Sequence, residues 1–484
     1  MYELAAVLLA LGLLMYLAYR GISLLLLAPA AALLAVGLTG SLPILATFTQ
    51  IFMTNLGQFV ISFFPLFLLG AVFGKLMDDT GAARSIARTV SRWLGPRRAM
   101  VSVVLCCALL TYGGVSAFVV AFAIVPITEA LFREAAIPRR LIPGAIGLGA
   151  FTFTMSALPG TPAIQNAIPM PFFGTTPFAA PGLGILGSLV MFALGLAWLE
   201  RRAAAARAAG EGYGGPAAAV PEPDAALREQ AMGQGFDIAE LDPPAAADKP
   251  LPPFALALAP IVVVILANFV FIRFVVPRMD TSYLAQPLFG STTIESVRGV
   301  WAVIVGLFLA SLLLVAANFR RLADLRATLD QGADASVLPI FNTASLVGFG
   351  AVIAALPVFG KISQAVLALG GGNPLVSSAA SIATLSAITG SASGGMSIAL
   401  EALGKTFVDM AHAGGVSLEA MHRIAAVASG ALDVLPHSGA VITLLVVCRL
   451  THRESYFDLF MTSIVAPMIA LVVLIVLATL FGSF

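Results

Sequence analysis

Apolar runs long enough to cross a bilayer recur along this chain, and they restrict its fold more than any other feature. A membrane span needs about 20 mostly apolar residues. Runs of that character lie near 3–19, 22–38, 56–77, 254–276, 298–318, 337–358 and 458–482. Further apolar stretches at 99–131, 142–199, 374–410 and 422–449 are interrupted by Gly, Pro and Ser clusters. Inside lipid only helices and closed barrels satisfy the backbone, and uninterrupted runs of this length predict helices. Charge content agrees, because 11% of the 484 residues are charged against about 25% in a soluble domain. The first run has no basic residue before it and Arg20 after it. That is the reverse of a signal peptide's charge order, so it reads as the first membrane helix.

Residues 200–253 are rich in Ala, Pro and Gly and hold many of the acidic residues outside the apolar runs. They bury too little apolar surface to fold alone and read as a disordered cytoplasmic linker. The linker separates units at 1–199 and 254–484. Arginines set the sidedness. One basic segment holds Arg84, Arg88, Arg92, Arg97 and Arg98, and a second holds Arg133, Arg139 and Arg140. Arg201, Arg202 and Arg207 open the linker, and Arg320, Arg321 and Arg326 form a fourth segment. The positive-inside rule places all four in the cytoplasm. The run at 56–77 then travels from outside to inside, and the run at 337–358 from inside to outside.

The two units also share a pattern. Gly70-Ala71-Val72 and Gly350-Ala351-Val352 lie in their third helices, with Lys75 and Lys361 following. Hairpins follow, at Thr111-Tyr112-Gly113-Gly114-Val115-Ser116 and at Thr389-Gly390-Ser391-Ala392-Ser393-Gly394-Gly395. Helices interrupted by Leu158-Pro159-Gly160-Thr161 and Leu435-Pro436-His437-Ser438 come next, at nearly equal spacing. The expected fold is an all-α polytopic membrane protein of two inverted repeats. Each repeat has about five transmembrane helices and a re-entrant hairpin, an odd number of crossings that inverts the second copy.

A helix broken inside the bilayer leaves N–H and C=O groups unpaired at a cost of several kcal/mol each. Four breaks at matching places therefore predict one central, polar site. Backbone N–H groups and half-helix N-termini suit a carboxylate. The candidate substrate-binding residues are Thr111, Gly113, Gly114, Ser116, Gly160, Thr161, Asn166, Ser391, Ser393, Gly394, Gly395, His437 and Ser438. Close helix packing also explains small and hydroxyl residues one by one; what favours a site is that the clusters coincide with the breaks. No Lys or Arg lies inside these breaks, which leaves the anion to backbone and hydroxyl groups. Asp433 and His437 are ionisable residues in an otherwise apolar stretch, about one helical turn apart, and are the candidate proton-coupling residues. The competing roles are a half-helix cap for Asp433 and a carbonyl bond for His437. Glu401, Lys405 and Asp409 have the i, i+4 spacing of a solvated hairpin end, and Glu129 is expected to pair with Arg133.

Other chemistry finds no support. Cys106, Cys107 and Cys448 lie in apolar runs without disulfide or zinc spacing and read as small apolar residues. The four histidines show no metal spacing, and no phosphate-loop motif is present. An enzyme, a resident cofactor, a metal site and ATP-driven transport are not expected. A net charge of +1 gives a nucleic-acid partner no electrostatic basis.

The chain resembles the gluconate permease (GntP-type) family of the ion transporter superfamily. The resemblance is carried by Gly70-Ala71-Val72-Phe73-Gly74-Lys75-Leu76-Met77, Thr80-Gly81-Ala82-Ala83, the tip around Gly113-Gly114 and Ala157-Leu158-Pro159-Gly160-Thr161-Pro162. In the second unit it is carried by Gly390-Ser391-Ala392-Ser393, Gly415-Val416-Ser417-Leu418-Glu419-Ala420-Met421-His422-Arg423 and Leu435-Pro436-His437-Ser438-Gly439. The Asn-Asp pair usual in the last stretch is missing here, which leaves Asp433 as the acidic partner. The resemblance implies proton-coupled symport of a small organic acid, either a sugar acid or a hydroxy monocarboxylate, in a bacterial inner membrane. It also implies a homodimer, with a scaffold domain and a transport domain moving in an elevator-like manner. A sodium-coupled carboxylate carrier and a cation/proton antiporter are the alternatives.

Overall fold

A computed structural model describes residues 2–20, 22–214, 250–436 and 438–484, and among them every regular element is helical. Residues 215–249 of the expected linker and His437 lie outside the described residues. The apolar N-terminal runs form α1 (Tyr2–Tyr19) and α2 (Leu24–Thr39). Next comes α3 (Ile44–Asp79), which includes a π-helical turn at Thr47–Phe52. The amphipathic α4 (Ala82–Leu94) bends by 101° into α5 (Ala99–Tyr112), and α6 (Ala117–Glu134) returns alongside α5. The first unit closes with α7 (Ile142–Ala150), an irregular stretch of short turns, and α8 (Pro181–Ala208).

The second unit runs through α9 (Phe254–Val270), α10 (Ile294–Asn318), α11 (Leu325–Ala355) and α12 (Phe359–Leu369). A hairpin of α13 (Pro374–Thr389) and α14 (Ala392–Ala413) follows, then α15 (Leu418–Ser429), α16 (Gly439–Val447) and α17 (His452–Phe481). Six of the described helices are long and apolar enough to cross a membrane, or seven with the bent α4–α5 pair. The chain is a multi-pass integral membrane protein.

Several helices exceed the expected runs. α3 has 36 residues, about 54 Å at ~1.5 Å per residue, against a hydrocarbon core of ~30 Å, so it must tilt or project. α8 continues to Ala208, past the expected boundary at residue 200, because Arg201, Arg202 and the alanines that follow are good helix formers.

α3 and α11 pack along each other over much of their length. Thr328 at the start of α11 donates to Asp79 Oδ2 at the end of α3 (2.6 Å). A Cβ on Gly332 would lie 2.8 Å from Val72 Cα, and one on Gly348 would lie 2.9 Å from the Phe52 carbonyl. These contacts set α3 and α11 antiparallel, as the arginines require. Ile398 of α14 joins Leu346 and Phe349 of α11 in a core shared with α1 and α2. The larger core lies among the hairpins, α7, α8, α15 and α17.

Charges at the helix ends differ in detail from the expected pairs. Lys405 meets Asp409 at 3.1 Å on an exposed surface. Glu129 pairs with Arg139 (3.3 Å) rather than with Arg133, whose guanidinium stacks on Tyr213 at 5.1 Å. The loop before α7 folds back on the end of α6, so Arg139 competes successfully for the carboxylate. Cys106, Cys107 and Cys448 are buried free thiols.

Candidate functional site

The first hairpin turns at Gly113 and Gly114. Gly114 has φ +95°, and a Cβ there would lie 2.7 Å from Pro162 Cγ, so glycine is what lets the tip close on the first break. Tyr112 donates its phenolic O–H to the Pro159 carbonyl at 2.8 Å. Thr111 is buried, and its hydroxyl has no partner among the described residues. Ser116 sits at the start of α6 without a side-chain capping bond. Gly113 leans on Ile261 of α9.

The first break, Leu158–Thr161, is non-helical. Gly160 (φ +83°) donates its N–H to the Pro177 carbonyl at 2.8 Å. Thr161 is buried and accepts the Ala163 N–H at 3.3 Å.

The second hairpin turns at Gly390 (φ +62°). Ser391 caps α14 by accepting the Gly394 N–H at 3.2 Å, and its hydroxyl lies 3.3 Å from that of Ser393. A Cβ on Gly394 would lie 2.5 Å from Leu346, and one on Gly395 would lie 2.2 Å from Ser386 N. Packing against backbone demands glycine at 395, whereas at 394 a Cβ meets the end of a leucine side chain. Ser438, at the second break, is buried and donates to the Gly390 carbonyl at 3.1 Å. Each hairpin tip therefore touches the break of its own unit. The segments flanking the two breaks approach each other as well, since a Cβ on Gly430 would lie 3.7 Å from Ser156 Oγ, and α16, which follows the second break, packs on the hairpin arm α6.

Within each unit the described candidates gather at a tip and its break, but Asn166 is fully used inside the protein. Its Nδ2 donates to the carbonyls of Thr161 and Pro177, both at 3.0 Å. Its Oδ1 accepts from Arg423 Nη1 (3.0 Å) and lies 3.1 Å from His422 Nε2. Because Nδ2 faces two carbonyls, Oδ1 must be the acceptor, and in the neutral His422 ring Nε2 carries the proton. His422 Nδ1 lies 2.6 Å from the Thr175 hydroxyl.

The expectation that no arginine serves the breaks is corrected here. Arg423 is fully buried on α15, outside both breaks in sequence, yet it grips the first break. It donates to the carbonyls of Ser156 (3.0 Å), Pro177 (3.4 Å) and Ala179 (2.7 and 3.2 Å). The signal available in the sequence was the charged pair His422-Arg423 embedded in an apolar run.

Buried oxygens of Thr111, Ser386, Ser397, Asp433 and Thr443 lack hydrogen-bond partners among the described residues. Each lies on a hairpin arm, the second break or the helix after it. Others lie on Asn268, Ser311 and Asn342 of α9, α10 and α11; leaving one such group unpaired costs about 1–3 kcal/mol, and the five here suit a site completed by a ligand or water. No cluster of three or more His, Cys, Asp or Glu occurs among the described residues.

Comparisons with known proteins agree with a transport role. The family model for GntP family permeases matches residues 2–171. The chain is 43% identical over 470 residues to the uncharacterized transporter YxjC of Bacillus subtilis (strain 168), covering 96% of each protein. Its fold is similar to that of the Alcanivorax borkumensis YdaH transporter, whose crystal structure is described as revealing an unusual topology. That match has a TM-score of 0.51 at 17% identity, over 89% of this chain and 87% of the other.

Proposed function

This chain belongs to the GntP permease family, and on that premise we propose that it is a proton-coupled symporter of a small organic acid, a sugar acid or a hydroxy monocarboxylate. The observation that carries the reading is that each hairpin tip closes on the break of its own unit, that the flanks of the two breaks come close at Ser156 and Gly430, and that these elements carry buried polar groups without partners among the described residues. Backbone N–H groups and the hydroxyls of Thr111, Thr161 and Ser438 are suited to a carboxylate. Asp433 Oδ1 has no partner among the described residues, so an ionised Asp433 would oppose a bound anion. Protonation removes that repulsion, and the proton then crosses with the acid. The anion favours the protonated carrier, which is the linkage that symport needs. His437, in the proposed coupling role, lies outside the described residues.

In this reading the two units are inverted repeats, supported by the antiparallel α3–α11 pair. The hairpins and broken helices form the transport domain, and the first three helices of each unit form the scaffold of a homodimer in the inner membrane. Elevator-like movement would carry the site across. The test is uptake of radiolabelled gluconate and lactate into proteoliposomes with an inward proton gradient and no sodium. Gradient-driven accumulation is expected. Accumulation that requires sodium would overturn the coupling ion, and ion flux without any acid would overturn symport itself.

A further inference from the structure

Arg423 presents a problem that the hydrogen bonds alone do not solve. Its five N–H groups are all used on neutral acceptors: the carbonyls of Ser156, Pro177 and Ala179, and the side-chain oxygen of Asn166. Glu419, one turn earlier, is exposed and accepts instead from Ala180 N at 3.4 Å. A full positive charge is therefore buried with only dipoles in contact, and the carboxylate that acts on it, Glu419, stands exposed on the far side of the Ala179–Ala180 peptide. Burying a cation without a carboxylate in contact is costly, and neutral residues of similar size commonly pack such a place at least as well. Packing by itself does not account for the choice of arginine.

The geometry places this charge beside the proposed site. Arg423 Nη1 meets Asn166 Oδ1 at 3.0 Å, and the other end of the same amide meets the Thr161 carbonyl at 3.0 Å. Two hydrogen bonds and the width of one amide bound the separation, which is on the order of 8 Å or less. The side chain is equally specific in what it does to the backbone. It draws carbonyl oxygens from both flanks of the first break toward itself, on the Ser156 side and on the Pro177–Ala179 side. Ala180 follows directly in the left-handed region at φ +41°, a conformation that a non-glycine residue holds only when its surroundings fix it. Gly184 of α8 leaves the room needed, because a Cβ there would lie 2.3 Å from the Ala157 carbonyl and 3.2 Å from Arg423 Nε. Within the break itself, Tyr112 and Asn166 hold the Pro159 and Thr161 carbonyls, and the Leu158 and Gly160 N–H groups bond to Phe153 and Pro177, which leaves the Thr161 N–H for a ligand.

We propose that Arg423 is the fixed positive charge of the carboxylate site, acting through the first break and not by touching the substrate. It is a positioning residue with an electrostatic role, and it ties α15 of the second unit to the break of the first. The inference rests on the carboxylate reading above and sharpens it: the site selects for negative charge. In a low-dielectric interior, a charge about 8 Å away changes affinity for an anion by roughly tenfold or more.

The experiment measures equilibrium binding of gluconate and lactate, and of lactamide as the neutral counterpart of lactate, to detergent-purified wild type, Arg423→Lys and Arg423→Gln. Thermal unfolding is followed in parallel. Wild type should bind lactate at least about tenfold more tightly than lactamide. Arg423→Gln should lose that preference. Arg423→Lys keeps the charge but not the fork, so it should retain most of the anion preference while its melting temperature falls to near that of the Gln variant. A purely structural role would instead make affinity follow stability in both variants. If Arg423→Gln retains wild-type anion preference, the inference falls and the carboxylate reading stands. If Arg423→Gln does not fold, equal binding of lactate and lactamide by wild type overturns it. If wild type binds none of the three, the carboxylate reading falls and takes the inference with it.

Discussion

The two breaks occupy equivalent places in their units but are held very differently. The first is tied by Arg423, Asn166 and Tyr112, which together satisfy carbonyls of Ser156, Pro159, Thr161, Pro177 and Ala179. The second is held from α17, where Tyr456 donates to the Val434 carbonyl (3.1 Å) and His452 Nε2 to the Pro436 carbonyl (2.9 Å). Ser438 adds one bond to the second hairpin, and among the described residues Asp433 is left with an unpartnered oxygen. One break is over-determined and the other is under-satisfied. A carrier needs both properties, a fixed shape to recognise an anion and a group whose protonation can change with loading.

Breaking that contrast is most direct at Asn166. Asn166→Ala strips partners from Arg423, His422 and two carbonyls at once. The buried cation loses a ligand, so destabilisation of about 3–5 kcal/mol is expected, read as a large fall in unfolding temperature in detergent. Ser438→Ala removes one neutral bond at the second break and should cost about 1 kcal/mol. Equal losses at the two positions would erase the distinction.

Asp433→Asn should behave in the opposite way. Removing an unpaired buried charge leaves stability unchanged or raised, while acid accumulation driven by the proton gradient falls by more than tenfold. Acid affinity in the wild type should fall as pH rises, because only protonated Asp433 accepts the anion, and in Asp433→Asn it should become independent of pH. Binding titrations across pH check the sign, and an unchanged pH dependence would remove Asp433 from coupling.

Gly395→Ala in the second hairpin forces a Cβ to within 2.2 Å of Ser386 backbone, and overpacking of this kind costs about 1–3 kcal/mol. Gly113→Ala in the first meets only the side chain of Ile261, which can shift, and should cost less. Thermal unfolding of the pair compares how tightly the two hairpins close.

The smallest effect is expected where the linker begins. Arg140 bonds both oxygens of Glu211 (2.8 and 2.9 Å), and that bond holds the Glu211 carboxyl below its ordinary range. A depressed carboxyl stabilises the fold above its unfolded pKa, and the contribution fades as pH falls through its folded value. Glu211→Gln should cost under about 1 kcal/mol at neutral pH and nothing in acid, measured as the pH dependence of unfolding temperature.

What was legible in the sequence follows from what is local. Apolar runs announce spans because each helix must satisfy its own backbone in lipid. Gly113-Gly114, Pro159-Gly160 and Gly390 announce turns because φ preferences belong to single residues. Helix ends were less legible: α8 outlasts its apolar run because propensity continues where hydropathy stops. Arg423 was missed because its partners lie 244 to 267 positions upstream, and no local pattern encodes such a bond. Asn166 was found for its place in a break, but its saturation by Arg423 and His422 is a tertiary fact.

The central claim is that the two breaks face one carboxylate site. Cysteine placed singly at Thr161 or at Ser438, in proteoliposomes, tests it through the rate of modification by a small thiol reagent with and without gluconate or lactate. The account predicts that the same acid slows modification at both positions, over the same concentration range. Modification slowed at neither position, or at one alone, would contradict it.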